Sequence, residues 1–201
     1  MKLYFKPGAC SLSPRIVLEE LGLSHEAVAV DLKAKKLPDG SDYLAINPKG
    51  YVPALQLDSG EVLTEGPAIV QYLADQKPEK KLVPANGTME RYRLQSWLTF
   101  IGTEIHKSFS PLFNSAMPEE AKAIARANLE RRLGWVNQQL AGKDYLMGAD
   151  FTVADAYLFT VASWARPVKL DISAFTNLTA YMARVAARPG VQAALKAEGL
   201  A

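Results

Sequence analysis

The pattern of apolar residues changes once along the chain, and this change limits the folds it can adopt. Residues 1 to about 80 alternate short strand-like stretches with helix-like ones, whereas every apolar periodicity beyond residue 87 is helical. Between them, Pro78–Gly87 contains two prolines and an Asn-Gly pair, which favour a linker. We therefore predict an α/β plus all-α fold, with a small α/β domain over residues 1–81 and a helical domain over residues 87–201.

The first domain reads as β-α-β, a polar loop, and then β-β-α. A strand at Met1–Lys6 leads into a helix that ends at Gly22, and a second strand covers Ala27–Leu32. A hairpin then turns at Asp58–Gly60, and a helix opens near Thr64.

The second domain reads as a succession of amphipathic helices. A long helix ends near Pro111, another runs from about Pro118 to Leu140, and two short helices close the chain. Between these, Thr152 and Asp155 have the spacing of an N-terminal capping box.

Composition excludes several classes of partner. The 201 residues carry a net charge of +2 and contain no block of basic residues, so we expect no nucleic-acid partner. A single cysteine rules out an intramolecular disulfide, and two histidines offer no zinc-binding spacing. No apolar run reaches the ~18 residues of a membrane span, and the apolar N-terminal stretch is too short for a signal peptide. We expect a soluble cytoplasmic protein without a metal.

The single cysteine, Cys10, lies in the turn between the first strand and the first helix. Ser11 or Ser13 can act as N-cap there, and the positive end of the helix dipole favours a thiolate and a lowered thiol pKa. Ser13 occupies the place of a resolving cysteine, so disulfide chemistry at Cys10 would need an external small thiol. The alternative is that Cys10 is a small buried hydrophobic residue.

Two further stretches suggest a peptide-like ligand. A cis bond between Val52 and Pro53 would leave the Val52 backbone free to pair with such a ligand, although trans is the commoner isomer. The helix start after Glu65 could bind a carboxylate while Glu65 binds an amino group. Alternatively, Glu65 only complements the helix dipole.

Two basic side chains complete the candidates. Lys35 could pair with a ligand carboxylate or could be an ordinary solvated residue of a polar loop. On an α-helical projection His106 falls beside the apolar stripe, on a flank with Thr99, Gly102 and Thr103. It could therefore be a hydrogen-bond donor or base to a sulfur, or a surface histidine with no role.

The chain resembles bacterial beta-class glutathione S-transferases over nearly its full length. Each matching motif is modestly specific, but their order and spacing together are highly specific. The matching segments are Pro7–Ser13, Asn47–Gly50, Val52–Ala54, Leu63–Gly66, Ala68–Asp75, Glu104–Lys107, Ser110–Phe113, Phe151–Phe159 and Ala197–Leu200.

The resemblance implies a thioredoxin-like βαβαββα domain, a helical domain, a homodimer, a cis Val52–Pro53 bond, and glutathione as cosubstrate. It implies that Cys10 and His106 act at the glutathione sulfur. The remaining implied glutathione contacts are Lys35, Val52, Pro53, Glu65, Gly66, Thr99 and, across the subunit interface, Thr103 and Glu104.

Two positions depart from the family pattern. Phe5 stands where relatives often have tyrosine, so this residue has no hydroxyl to activate a thiol. Thr99 stands where asparagine is expected.

A hydrophobic electrophile would contact a pocket whose candidate residues, equally suited to a core, are Phe5, Phe109, Phe113, Tyr157, Trp164 and Arg166.

The predicted function is glutathione transfer to electrophilic small molecules, a detoxification reaction, accompanied by thiol–disulfide exchange through Cys10. Two alternatives stay open. One is a dedicated glutathione-dependent disulfide reductase or reductive dehalogenase with Cys10 as nucleophile. The other is a non-enzymatic ligand carrier with the same fold.

Overall fold

The computed structural model describes all 201 residues and groups them into two compact units. The first unit comprises Met1–Lys81 together with Ala187–Ala201, and the second comprises Leu82–Ala186. The sequence-based division assigns the C-terminal residues to the helical domain instead. They join the first unit because the last helix packs against its first helix.

A four-stranded mixed sheet forms the first unit. Its strands are β1 (Lys2–Phe5), β2 (Glu26–Ala29), β3 (Ala54–Gln56) and β4 (Val62–Thr64), in the spatial order β2-β1-β3-β4. Strand β1 is parallel to β2 and antiparallel to β3, and β3 is antiparallel to β4. This is the thioredoxin-like arrangement that the resemblance implies.

Three helices belong to this unit: α1 (Leu12–Leu21), α2 (Gly66–Asp75) and the C-terminal α8 (Pro189–Ala197). The helix expected between β2 and β3 is a single 3₁₀ turn, Tyr43–Ala45. The preceding loop is polar and interrupted by Pro38 and Gly40, so it lacks the apolar periodicity that a longer helix needs. The Asp42 carboxylate caps the turn by accepting from the Leu44 N–H at 3.0 Å.

The aromatic residue Tyr4 belongs to one core cluster in this unit. Its ring centroid is 5.7 Å from that of Tyr43, and both side chains are buried. The buried members of the cluster are Tyr4, Val30, Tyr43, Val52 and Ala54. Because Val52 belongs to it, this cluster anchors the chain where it enters β3.

Helices α1 and α8 make an unusually close contact. An added Cβ at Gly190 would lie 2.8 Å from the Glu20 side chain and 2.9 Å from the Glu20 backbone nitrogen. Beside it, the Arg188 guanidinium donates to both carboxylate oxygens of Glu20, at 2.9 and 2.6 Å. Absence of a side chain at residue 190 therefore lets a two-point ion pair form.

The second unit is entirely helical. Its α-helices are α3 (Met89–Phe100), α4 (Lys107–Phe113), α5 (Glu119–Gln139), α6 (Val153–Ala162) and α7 (Thr176–Ala186). All ten residues of α6 are buried, and this helix contacts both α3 and α7. A helix that is apolar on every side has to lie at the centre of its unit. None of the helices combines the length and apolar character of a membrane span.

A π-helical segment, Ile101–His106, separates α3 from α4. The sequence predicts a single α-helix here, ending near Pro111, whereas α4 continues to Phe113. The i→i+5 pattern of a π-turn places more residues in each turn than an α-helix has. An α-helical projection therefore does not fix the direction in which His106 points.

The N-terminus of α6 carries the predicted capping box, built around the fully buried carboxylate of Asp155. This carboxylate accepts from the N–H and hydroxyl of Thr152, both at 2.8 Å, and from the Leu146 N–H at 2.9 Å. The Tyr181 hydroxyl donates to it at 3.2 Å. Burial nevertheless raises the pKa of Asp155 to about 6, against the opposing effect of these hydrogen bonds.

The first prediction concerns the close α1–α8 contact. We expect Gly190→Ala to lower the free energy of unfolding by about 1–3 kcal/mol, because the new methyl group forces the two helices apart. Gly134→Ala is the matched control, since its Cβ would meet only the Phe175 side chain at 3.4 Å. Alanine favours a helix by up to ~1 kcal/mol over glycine. Urea unfolding of both variants measures the difference, and equal effects would contradict the packing argument.

The second prediction concerns pH. The Asp155 carboxyl has a pKa near 3.8 in an unfolded chain and about 6 when folded, so the folded protein binds its proton more tightly. The protonated carboxyl therefore stabilises the folded state, and this stabilisation is complete below pH 3.8 and is lost as the pH rises through 6. Relative to Asp155→Asn, the wild type should lose roughly 2 kcal/mol between pH 4 and 7.

Denaturant titrations of both proteins across that pH range measure the effect. The exposed Asp171 provides a control of opposite sign, because hydrogen bonds from Ser173 lower its pKa. A wild-type advantage over Asp155→Asn that stays constant with pH would contradict the raised pKa.

Candidate active site

One short segment of the first unit, Lys49–Pro53, contacts three of the predicted site residues. The Tyr51 carbonyl at its centre accepts hydrogen bonds from the Tyr43 hydroxyl at 2.7 Å and from the Asn47 amide at 2.8 Å. Both donors belong to the turn that precedes the segment. The segment ends in a cis Val52–Pro53 bond, as the resemblance implies.

Cys10 contacts the end of this segment. Its Sγ lies 3.2 Å from the Val52 carbonyl oxygen, to which the thiol donates, and the residue is half-buried. Ser11 occupies the N-cap position of α1, as predicted, but its hydroxyl bonds to the Lys6 backbone instead, at 3.1 Å from the nitrogen and 3.2 Å from the oxygen. The turn that carries Cys10 is therefore closed by its own serine, and the helix N-terminus follows two residues later.

Lys35 contacts the middle of the segment. Its Nζ donates to the Gly50 carbonyl at 2.7 Å and lies 5.8 Å from the centroid of the Tyr51 ring. The Lys35 backbone has a φ of 57°, in the left-handed region. The polar loop thus turns at this lysine and directs its ammonium group towards the segment, which a freely solvated side chain would not require.

Glu65 contacts the start of the segment. Its carboxylate accepts from the Lys49 ammonium at 2.6 Å, and 68% of the side chain remains exposed. Its backbone has a φ of 70° and a ψ of 112°, which is strained for a residue with a Cβ. Gly66 then opens α2. The strained residue therefore places a carboxylate beside a helix N-terminus without capping it.

In the second unit, His106 contacts the buried hydroxyl of Tyr157. Its Nδ1 lies 2.7 Å from Tyr157 Oη, and its ring packs edge-on against Trp164 at a centroid distance of 4.9 Å. Burial, with a smaller contribution from the charge of Lys107, lowers the pKa of His106 to about 4. The imidazole is therefore neutral at physiological pH.

The candidate pocket residues divide into three groups. Phe5 belongs to the first unit, where it is buried beneath the Arg15 guanidinium at 4.9 Å. Arg166 is exposed. The others form one ring cluster with His106, consisting of Phe109, Phe113, Tyr157 and Trp164. Only Phe113 in that cluster is widely exposed, at 54%.

Three candidates in α3 and the following π-helical segment, namely Thr99, Thr103 and Glu104, form hydrogen bonds or an ion pair within the second unit. The Thr99 hydroxyl donates to the Gln95 carbonyl at 2.8 Å, and the Thr103 hydroxyl donates to the Thr99 carbonyl at 3.0 Å. Both threonines are exposed. The Glu104 carboxylate forms an ion pair with Arg132 of α5.

Three contacts between side chains were not identified from the sequence. Lys49 holds Glu65, Arg132 holds Glu104, and the Tyr157 hydroxyl holds His106. Lys49 lies within a segment that reads only as a turn, and the partners of the other two pairs are distant in sequence. No periodicity or spacing indicates such contacts. No group of three or more His, Cys, Asp or Glu side chains is arranged to hold a metal ion.

Comparison with known proteins follows the same division of the chain. A family model described as the glutathione S-transferase N-terminal domain matches residues 8–76, and one described as the C-terminal domain matches residues 100–189. Over the full length of both chains, the sequence is 52% identical to glutathione S-transferase GstA of Escherichia coli O157:H7.

Two solved structures also match the whole chain. A bacterial beta-class glutathione S-transferase from Sphingomonas chungbukensis has a TM-score of 0.97 at 52% identity, with complete coverage of both chains. A sphingomonad glutathione S-transferase complexed with glutathione has a TM-score of 0.96 at 52% identity, again with complete coverage. This chain therefore belongs to the glutathione S-transferase family, and its sequence and fold match the family's bacterial beta class.

Proposed function

We propose that this protein transfers glutathione to the electrophilic carbon of apolar small molecules. The observation that carries the proposal is the convergence of a carboxylate, an ammonium group and a thiol on one five-residue segment. Glutathione carries an ammonium group, carboxylates and a thiol on a short peptide backbone. A solved relative at 52% identity is described as a complex with glutathione, which supports the same ligand here.

Each side chain that contacts the segment can bind a particular group of glutathione. Glu65 and the helix start at Gly66 receive the amino and carboxylate groups of one end, and Lys35 receives the carboxylate of the other. The Val52 backbone beside Pro53 pairs with the cysteinyl residue, as a strand pairs with a peptide. The ligand sulfur then lies against Cys10, which already donates to the Val52 carbonyl.

The transfer reaction requires the glutathione thiolate. Lowering the pKa of a thiol from about 9 to 7 takes only ~3 kcal/mol of preferential interaction with the anion. The thiol proton leaves to solvent, the thiolate forms a sulfur–carbon bond, and a leaving group such as a halide departs with the electron pair. His106 would donate to this sulfur, and Thr99 would contact the same ligand.

Besides glutathione transfer, we propose thiol–disulfide exchange, for which the half-buried Cys10 supplies the protein thiol. The Cys10 thiolate attacks a disulfide, forms a mixed disulfide and releases one thiolate. Glutathione thiolate then attacks the mixed disulfide, which restores Cys10 and forms a glutathione disulfide. This route needs a pool of reduced glutathione, so we place the activity in the cytoplasm.

We further propose that two copies of the chain form the functional unit. One face of α3 supports this, because Met89 and Tyr92 are 61% and 57% exposed there. Ser96 and Thr99 continue the same face at helical spacing and are also exposed. Thr103 and Glu104, next along the chain, would contact glutathione held by the partner subunit.

Two alternatives predict different roles for Cys10. A dedicated reductase or reductive dehalogenase needs its thiol for every turnover, because a sulfur must be oxidised while a disulfide or a carbon–halogen bond is reduced. A ligand carrier needs no reactive thiol and would bind glutathione without turnover. Parallel assays of a chloronitrobenzene and of a hydroxyethyl mixed disulfide, each with glutathione, distinguish all three.

The third prediction tests the glutathione site. We expect Lys35→Gln to raise the KM for glutathione by roughly 10-fold or more, because a charge-assisted hydrogen bond contributes ~1.5–3 kcal/mol. Its kcat should change little, since the lysine binds the ground state and the transition state equally. Lys36→Gln is the matched control in the same loop, with an exposed side chain. An unchanged KM in Lys35→Gln would contradict the assignment.

The fourth prediction separates the two reactions. We expect Cys10→Ala to abolish reduction of the mixed disulfide while it retains conjugation of the chloronitrobenzene within about tenfold, because the protein thiol is removed but the glutathione thiol remains. Cys10→Ser keeps a similar shape and should behave alike. Complete loss of conjugation in both variants would contradict glutathione transfer by an activated glutathione thiolate.

A further inference from the structure

The contact between His106 and Tyr157 fixes one nitrogen of the imidazole. Tyr157 Oη and His106 Nδ1 are 2.7 Å apart, a short distance for a hydrogen bond to nitrogen. The two residues lie 51 positions apart, on different helical elements. Both belong to the same compact unit, so this geometry is internal to it.

The π-helical segment that carries His106 also carries a glycine beside this contact. His106 is the last residue of Ile101–His106, and Gly102 lies in the same segment. An added Cβ at Gly102 would lie 3.5 Å from the Tyr157 hydroxyl, in van der Waals contact. Tyr157 is 4% exposed and Trp164 packs against the His106 ring, so both side chains are held in place by their surroundings.

Acid–base strength decides which atom donates. The imidazole is neutral, so one ring nitrogen carries a proton and the other is an acceptor. A phenol, with a pKa near 10, is a far stronger acid than a neutral imidazole N–H, and the imidazole nitrogen is a stronger base than the phenol oxygen. The stronger pair is therefore O–H···Nδ1, in which Tyr157 donates and the ring proton resides on Nε2.

We propose that Tyr157 is a positioning residue that holds His106 in the Nε2–H tautomer, so that His106 meets its ligand as a neutral hydrogen-bond donor. The Trp164 ring at 4.9 Å and the buried tyrosine fix the plane of the imidazole as well as its proton. Burial and the charge of Lys107 keep the ring neutral, so only one of its two nitrogens carries a proton.

The consequence for catalysis rests on the proposed glutathione transfer. A neutral donor stabilises a thiolate without taking its proton, so His106 is neither the base for the thiol nor a cation beside it. The neighbouring ammonium group of Lys107 also disfavours a cationic ring. Activity should therefore show no ionisation of His106 above pH 5.

The fifth prediction uses the fact that the chain has only two histidines. In free protein labelled with nitrogen-15, imidazole shifts distinguish a protonated ring nitrogen from an unprotonated one. We expect Nδ1 of His106 to be unprotonated and Nε2 protonated at pH 7, with His25→Gln used to assign the resonances. A protonated Nδ1 at pH 7 would overturn the proposal, whether or not the protein conjugates glutathione.

Tyr157→Phe keeps the packed ring and removes only the donor. We expect it to mix the two tautomers, to raise the pKa of His106 and to lower kcat/KM for conjugation roughly three- to tenfold. In a His106→Asn background the same change should have no further effect, because the residue it positions is gone. An unchanged tautomer in Tyr157→Phe, or a full effect without His106, would overturn the role of Tyr157.

Tyr72→Phe controls for loss of a tyrosine hydroxyl in general, because this half-buried residue belongs neither to the proposed site nor to the α3 face. An unshifted His25 resonance and an unchanged unfolding transition in Tyr157→Phe report that the fold is intact. If the wild type shows the expected tautomer but no conjugation, the proposed function fails while the proton assignment stands.

Discussion

Two hydrogen bonds to one carbonyl oxygen, that of Tyr51, hold the segment on which every candidate contact of the first unit depends. The Tyr43 hydroxyl and the Asn47 amide make them, and both donors come from the turn just upstream. Because Tyr43 also packs on Tyr4 of the sheet, the segment is tied to the core. Lys35, Glu65 and Cys10 then approach an element that is already fixed.

In the second unit, a candidate site residue is held in place by burial among aromatic rings. His106 lies against Tyr157 and Trp164, where burial keeps it neutral and one hydrogen bond selects its proton. The first unit instead leaves its charges half-exposed and pairs them with backbone or with Lys49. A ligand can displace such surface pairs at little free-energy cost.

Much of the fold was predictable because it depends on local patterns. Alternating apolar residues indicate the strands, and Thr152 and Asp155 indicate a capped helix, which is confirmed. The place of Cys10 between the first strand and the first helix was predictable, because a strand–turn–helix boundary is a local signal. The π-helical segment, the partner of His106 and the attachment of α8 to the first unit were not, since each depends on contacts between distant parts of the chain.

Backbone strain at Glu65 implies a conflict between the stability of the fold and the placement of a carboxylate. A residue with a Cβ at a φ of 70° and a ψ of 112° stores unfavourable energy in every folded copy, with or without ligand. Selection for heat resistance alone would replace it by glycine, which adopts such angles freely. A carboxylate at this position therefore costs stability that glycine would not, and only a use for the acid offsets that cost.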